Sequence, residues 1–213
     1  MIRQRGTETS AAEYLPTGHD IATLRRAAMS CRGCELYCGA TQTVFGEGPI
    51  DARLVFVADQ PDGEDDEQGR PLTGPAGRLF DAVLGEVGID RRQVYVTLAV
   101  KHFKWVQRGQ ERLAARANAG EVRACLPWIE AELDAIGPEI IVCLGAVAAK
   151  ALLGPEFRVS REHGQVVSTN WAPCTLATFH PAAILRCPDA IRADVQQAFV
   201  ADLTCVAERL KNP

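Results

Sequence analysis

Four short apolar runs, each ended by a polar or glycine-containing loop, constrain the fold of this chain more than any other feature. Residues 53–58 (Arg-Leu-Val-Phe-Val-Ala), 93–100, 139–144 and 174–178 have strand length and strand composition. Residues 165–168 read as a further short strand. The segments between them have helical spacing. Ile21, Leu24 and Ala28 share one face of residues 20–29. Leu79, Phe80, Val83 and Val87 share one face of a helix started by Gly74-Pro75, where proline is tolerated because the first-turn N–H is unpaired anyway. Residues 121–136 form another helix, stopped by Gly137-Pro138; residues 145–153 and 189–210 form two more. Strands that alternate with helices predict an α/β chain, a three-layer αβα sandwich with a mostly parallel central sheet. The expected organisation is a flexible lead over residues 1–18 and one domain over 19–213. Ligands of such sheets sit beyond the carboxyl ends of the strands. Asp59, residues 98–102, Gly145 and His180 all follow predicted strands, so they converge on one edge.

The composition is that of a globular chain large enough to bury its own core: 213 residues, 47% hydrophobic and 23% charged. The longest apolar runs fall far short of a membrane span, and residues 2–13 lack the apolar core of a signal segment. The expected location is cytoplasmic, where thiols stay reduced, so the 8 Cys read as ligands or core fillers rather than disulfides. A net charge of −4 does not advertise nucleic-acid binding. The local distribution matters more than the sum: Lys101, Lys104, Arg108, Arg112, Arg116 and Arg123 fall within one stretch whose acids are Glu111 and Glu121. On charge alone a solvated loop and helix face is the better explanation of that stretch.

Cys31-Arg32-Gly33-Cys34 can present two sulfurs to one metal centre from a single turn. Cys125, close to Pro127, is a further candidate. Spacing alone leaves an iron–sulfur cluster and zinc even. Cys38 is near enough to compete with Cys34. Cys143 lies in an apolar strand, and Cys174, Cys187 and Cys205 have no neighbour at metal spacing, so these four read as packing residues.

The ordered motifs resemble those of the iron–sulfur uracil-DNA glycosylases, family 4 and its X-type branch. Val44-Phe45-Gly46-Glu47-Gly48 precedes the first strand. Ala58-Asp59-Gln60-Pro61-Asp62 stands where that family has Gly-Glu-x-Pro-Gly. The stretch from Gly69-Arg70-Pro71-Leu72 through Gly74-Pro75-Ala76-Gly77-Arg78-Leu79, then Leu144-Gly145-Ala146 and His180-Pro181-Ala182, follow in family order. Each piece alone is common; the ordered set is specific. The resemblance covers about residues 31–205. It implies a uracil-DNA glycosylase-like sandwich and a four-iron, four-sulfur cluster held by Cys31, Cys34, His102 and Cys125. His102 stands where family 4 has a Cys, as in the X-type branch. Three Cys and one His suit tetrahedral zinc as well.

The resemblance also implies a site. The enzyme must extrude a nucleotide before its glycosidic bond can break. Bond breaking leaves positive charge on the sugar and negative charge on the base. Asp59 answers the first and His180 the second as candidate catalytic residues. Ala58, Gln60, Pro61, Leu72 and Leu98 are the candidate base pocket. Lys101, Lys104, Arg108, Arg112, Arg116 and Arg186 are candidate DNA contacts. The expected partner is DNA, single-stranded or with a flipped nucleotide, and the expected state is a monomer. The chain departs from the family at telling places. Asp59 stands for Glu, Leu72 for a base-stacking Phe, and Leu98 for an Asn that reads the uracil edge. Residues 110–114 (Gln-Glu-Arg-Leu-Ala) carry no His where the X-type branch has a covalently bonding one. The leading expectation is a glycosylase for uracil or another modified base, with an altered pocket. The alternative is a catalytically inactive DNA-binding or lesion-sensing module on the same fold.

Overall fold

The computed structural model describes residues 9–211. In chain order the elements are α1 (Ile21–Ala28), β1 (Leu54–Ala58), α2 (Gly63–Gln68), α3 (Pro75–Val87), β2 (Val94–Leu98), the strands β3 (Trp105–Arg108) and β4 (Glu111–Ala114), α4 (Ala119–Ile136), β5 (Ile140–Leu144), α5 (Ala146–Leu153), α6 (Val159–Glu162), β6 (Cys174–Thr178), α7 (Pro181–Arg186) and α8 (Asp189–Lys211). The main sheet has the order β2-β1-β5-β6, with every pairing parallel.

All four strands are buried over their whole length, which is why they read as continuous apolar runs. Alternate residues serve opposite layers. Val55, Val57, Ile141 and Cys143 pack with Leu24, Trp128, Ile129 and Ala148 from α1, α4 and α5. Leu54, Phe56, Val96 and Val142 pack with Phe80, Val83, Ile184, Phe199 and Leu203 from α3, α7 and α8. The expected three layers are therefore present. No helix among the described residues is long and apolar enough to cross a membrane.

Local chemistry fixes the helix starts. Asp20 caps α1 by accepting the Thr23 N–H at 2.9 Å. Asn118 and Glu121 form a reciprocal capping box on α4, and Asp62 and Asp65 form one on α2. That second box turns the acidic run at 62–67 into a helix the apolar pattern does not announce.

The structure corrects several expectations. Residues 165–168 form no strand; one antiparallel bridge joins Val167 to Thr175. The basic stretch after β2 is not a plain loop, because β3 and β4 pair as an antiparallel ribbon. Part of the expected flexible lead is ordered: Ala11–Tyr14 is a 3-10 turn whose Ala11 is buried in the α1/α4 layer. Residues 1–8 lie outside the described residues. Cys143 and Cys174 are buried as packing residues, whereas Cys205 is exposed.

The strand order places a reversal between β1 and β5. After β1 the chain moves outward to β2, then returns to lay β5 on the other side of β1. Ala58, Leu98, Leu144 and Thr178 end the strands in one register row. The loops beyond them part at this switch point and leave a crevice there.

Candidate active site

The chain leaves β1 at Asp59 and β5 at Gly145, side by side. Asp59 Oδ1 accepts the backbone N–H groups of Val147 and Ala148, both at 2.9 Å. These first-turn donors of α5 have no carbonyl partner inside the helix, and the helix start favours negative charge. Gly145 has φ +100, and a Cβ there would come within 2.7 Å of both Asp59 carboxylate oxygens. Glycine therefore lets the β5–α5 loop close over the carboxylate.

His180 follows β6 and caps α7. Its Nδ1 accepts the Ala182 N–H at 3.1 Å, so the ring proton sits on Nε2. Nε2 is buried and has no hydrogen-bond partner among the described residues. Burial holds the His180 pKa below the ordinary histidine value, partly offset by the Asp59 charge, so the ring is neutral near pH 7. The result is a neutral ring with an unengaged N–H donor.

Asp59 and His180 both line a groove of about 710 Å³ at the carboxyl edge of the sheet. Gln60, Pro61 and Leu72 line it too, as the sequence suggests. Ala58 and Leu98 do not. Both are fully buried in the layer that holds Phe80 and Val83. An amide at position 98 would sit in that apolar layer. Gln60 contributes its position rather than its amide: Nε2 donates to the Ala115 carbonyl at 2.8 Å, and Oε1 accepts the Ala117 N–H at 2.6 Å. The amide thereby ties the exit of the β3–β4 ribbon to the groove floor. Leu72 holds a left-handed φ of 57, and its carbonyl packs where a Cβ on Gly77 would lie.

The cation set also needs revision. Lys101 is no phosphate contact. It is fully buried, with its ammonium against Glu132 and within 2.5 Å of Thr97 Oγ1. Lys104 is paired with Glu121 at 2.8 Å and is largely covered. Arg108 and Arg112 lie on the exposed ribbon, where the Arg112 guanidinium stacks over Trp105 at 4.4 Å. Arg116 and Arg186 line the groove, joined by Lys150 and Arg158, which sequence reasoning missed. The signal for Lys150 was available: it is the one charge in the apolar stretch 146–153.

A second constellation draws on the N-terminal segment, the loop after β2 and α4. Cys31, Cys34 and Cys125 are near enough to influence one another electrostatically. Cys31 Sγ accepts the Trp128 indole N–H at 3.2 Å, and Cys125 Sγ accepts the Lys101 N–H at 3.3 Å. Burial pushes the Cys125 thiol up to about 12. Thr43 Oγ1 lies 3.0 Å from His102 Nε2 and donates its one proton to the Ala28 carbonyl. His102 Nε2 must then carry the ring proton, which leaves a lone pair on Nδ1. That Nδ1 is buried without a hydrogen-bond partner among the described residues. A buried acceptor without a donor, on a ring oriented through its other nitrogen, suits a metal ligand. Among the described residues no three His, Cys, Asp or Glu side chains are gathered to hold a metal ion as they stand.

The family model described as the uracil DNA glycosylase superfamily matches residues 45–204. The chain belongs to that superfamily. The Type-4 uracil-DNA glycosylase of Thermotoga maritima is 34% identical over 157 residues, covering 73% of this chain and 78% of the relative. That of Archaeoglobus fulgidus is 34% identical over 181 residues, covering 82% and 87%. A Type-5 uracil-DNA glycosylase of Pyrobaculum aerophilum is 30% identical over 154 residues, covering 64% of each chain. Among solved structures, SMUG2 of Pedobacter heparinus superposes with a TM-score of 0.54 at 14% identity, covering 74% of this chain and 77% of the other. That likeness bears on the fold alone. These uracil-DNA glycosylases are hydrolytic DNA glycosylases, and the segment matched by the family model contains both Asp59 and His180.

Proposed function

We propose that this chain is a monofunctional DNA glycosylase that takes a flipped nucleotide into the groove and hydrolyses its glycosidic bond. Its substrate is uracil or another altered base. The observation that carries the reading is His180: a neutral, buried imidazole with an unengaged N–H, in one groove with a carboxylate anchored on a helix start. When the bond breaks, the base leaves with the electron pair and the sugar carbon becomes positive. The Nε2–H hydrogen-bonds the base oxygen as negative charge grows there. Asp59 faces the positive sugar. Its Oδ1 already accepts two N–H groups, which favours electrostatic stabilisation over proton abstraction. Water then bonds through its oxygen to the sugar carbon and gives up a proton, which ends on the base anion, so the products are the hydroxylated sugar and the neutral base. Alkali-labile breaks in single-stranded oligonucleotides carrying one altered base test the reading. Cleavage of none of them, with DNA still bound, favours the binding-module alternative.

DNA is the proposed partner, with Arg116, Lys150, Arg158 and Arg186 meeting phosphates around the groove. Each such contact on a single strand contributes roughly 0.7 to the slope of log affinity against log salt. Replacing Arg116 and Arg186 together by Ala should flatten that slope by roughly 1.4. Arg53→Ala, at the far end of β1, should leave it unchanged. Fluorescence-anisotropy titration at several salt concentrations checks this.

The proposed cofactor is a four-iron, four-sulfur cluster on Cys31, Cys34, His102 Nδ1 and Cys125, with zinc the alternative for the same donors. Such a cluster would cross-link the N-terminal segment, the loop after β2 and α4, and it carries no step of the reaction. Purified protein should contain iron and sulfide. Cys125→Ser should lose them, whereas Cys143→Ser should keep them. Elemental analysis that finds zinc and no iron in anaerobically purified protein overturns the assignment.

A further inference from the structure

Asp202 is the buried charge on the inner side of α8, in line with Phe199, Leu203 and Val206. A carboxylate there is costly unless it is hydrogen-bonded. Its two side-chain donors come from two segments that lead into the groove. The Thr178 hydroxyl donates to Oδ2 at 2.5 Å, and His163 Nδ1 donates to the same oxygen at 2.9 Å. A carboxylate only accepts, so the His163 ring proton sits on Nδ1. Gly164 makes the approach possible. Its φ of +71 is left-handed, and a Cβ there would collide with Asp202 Oδ1.

Thr178 ends β6 two residues before His180 and is fully buried. Its carbonyl accepts the Gly145 N–H at 2.9 Å, and Gly145 is the residue that lets the β5–α5 loop close over Asp59. The place of Thr178 therefore bears on both candidate catalytic side chains. His163 ends a different segment, of which Phe157, Arg158, Val159 and Ser160 line the groove. Glu162 accepts the Arg158 N–H at 2.7 Å, and the His163 N–H donates to the Val159 carbonyl at 3.1 Å, so these residues form one turn. The far end of that turn is fixed by the His163–Asp202 bond. The His163 ring also lies against Phe179, with centroids 4.8 Å apart.

We infer that Asp202 is a positioning residue with two separable effects. Through Thr178 it places the strand end on which His180 and Gly145 depend. Through His163 it places the turn that brings Arg158 to the DNA strand. This inference rests on the glycosylase reading above and adds to it a residue that touches no substrate. One carboxylate then sets the rate through one donor and substrate capture through the other.

The test follows single-turnover excision by the full chain over a range of enzyme concentrations, which separates the maximal rate from the half-saturating concentration. The probes are single-stranded oligonucleotides carrying one uracil, hypoxanthine or xanthine, and the base that wild type cuts fastest is used for every variant. Thr178→Val keeps the side-chain shape and removes the hydroxyl. It should lower the maximal rate about tenfold or more, the scale of a displaced catalytic group, with half-saturation within about threefold. Thr178→Ser restores the hydroxyl and should restore the rate. His163 is partly exposed, so His163→Ala leaves the core intact. It should raise the half-saturating concentration about tenfold, the scale of a lost hydrogen bond to a charged group, with the maximal rate within about threefold. His163→Asn offers an amide N–H in place of Nδ1–H without the ring, and should restore half-saturation. Rescue by Asn separates the Asp202 bond from the packing on Phe179. Any other pattern, including equal changes in both quantities or none, overturns the inference and leaves the glycosylase reading standing. Wild type that binds all three probes and cuts none overturns that reading and this inference together.

Discussion

Replacing Glu132 by Ala should destabilise the fold by about 3–5 kcal/mol, the scale expected when one partner of a buried ion pair is removed. Glu132 and Lys101 are both fully buried. The carboxylate also accepts the Tyr95 hydroxyl at 2.8 Å, the Thr97 hydroxyl at 2.9 Å and the Gly46 N–H at 3.2 Å. Truncation leaves the Lys101 ammonium without its counter-charge in a layer that holds Phe45 and Trp128. For a chain of this size the loss corresponds to about 6–20 °C in melting temperature. Replacing both charges, with Lys101→Met and Glu132→Leu together, should cost much less than Glu132→Ala alone, because no unpaired charge remains. Chemical denaturation of the three proteins measures this. A single-variant loss below about 1 kcal/mol, the range of an exposed pair, would contradict the burial described here.

The same ion pair explains where sequence reading reaches its limit. The β1, β2, β5 and β6 strands were legible because burial on both faces makes a run apolar throughout, and a five-residue run of that kind has few other uses. The sequence suggests a phosphate contact at Lys101 because the residue follows a strand end and begins a basic stretch. Its partner Glu132 lies in α4, on what looks like an ordinary helix, and nothing local announces that the two meet. The β3–β4 ribbon was missed for the opposite reason. Its residues are mostly exposed, so no alternating core face marks them as strands, and the ribbon is held at its root by Trp105 donating to the Gly39 carbonyl and by Gln60.

The site was legible in outline and not in detail. Asp59 and His180 follow strand ends, and parallel topology brings strand ends together whatever the loop sequence. Leu98 also follows from the family pattern, yet its side chain belongs to the core layer below the groove. Register decides that: Leu98 pairs with Ala58, and both point into the α3 layer. The hydrogen-bond roles of the two histidines were invisible in the sequence. They depend on the Ala182 N–H and on the single hydroxyl proton of Thr43.

The central claim is that His180 stabilises the departing base, and His180→Ala tests it most directly. Loss of one donor to a developing oxyanion lowers a rate by about 10²–10³. Single-turnover excision of whichever altered base the wild type cuts should fall by that factor, while DNA affinity stays within about threefold. The pH profile supplies a second readout. Because burial lowers the His180 pKa, the wild-type rate should persist below the ordinary histidine pKa of about 6.5 and fall only at more acid pH, as protonation of Nδ1 breaks its bond to the Ala182 N–H. The groups that face the ring and set this balance are Asp59, Asp62 and Arg186. An excision rate in His180→Ala within a few-fold of wild type would contradict the account.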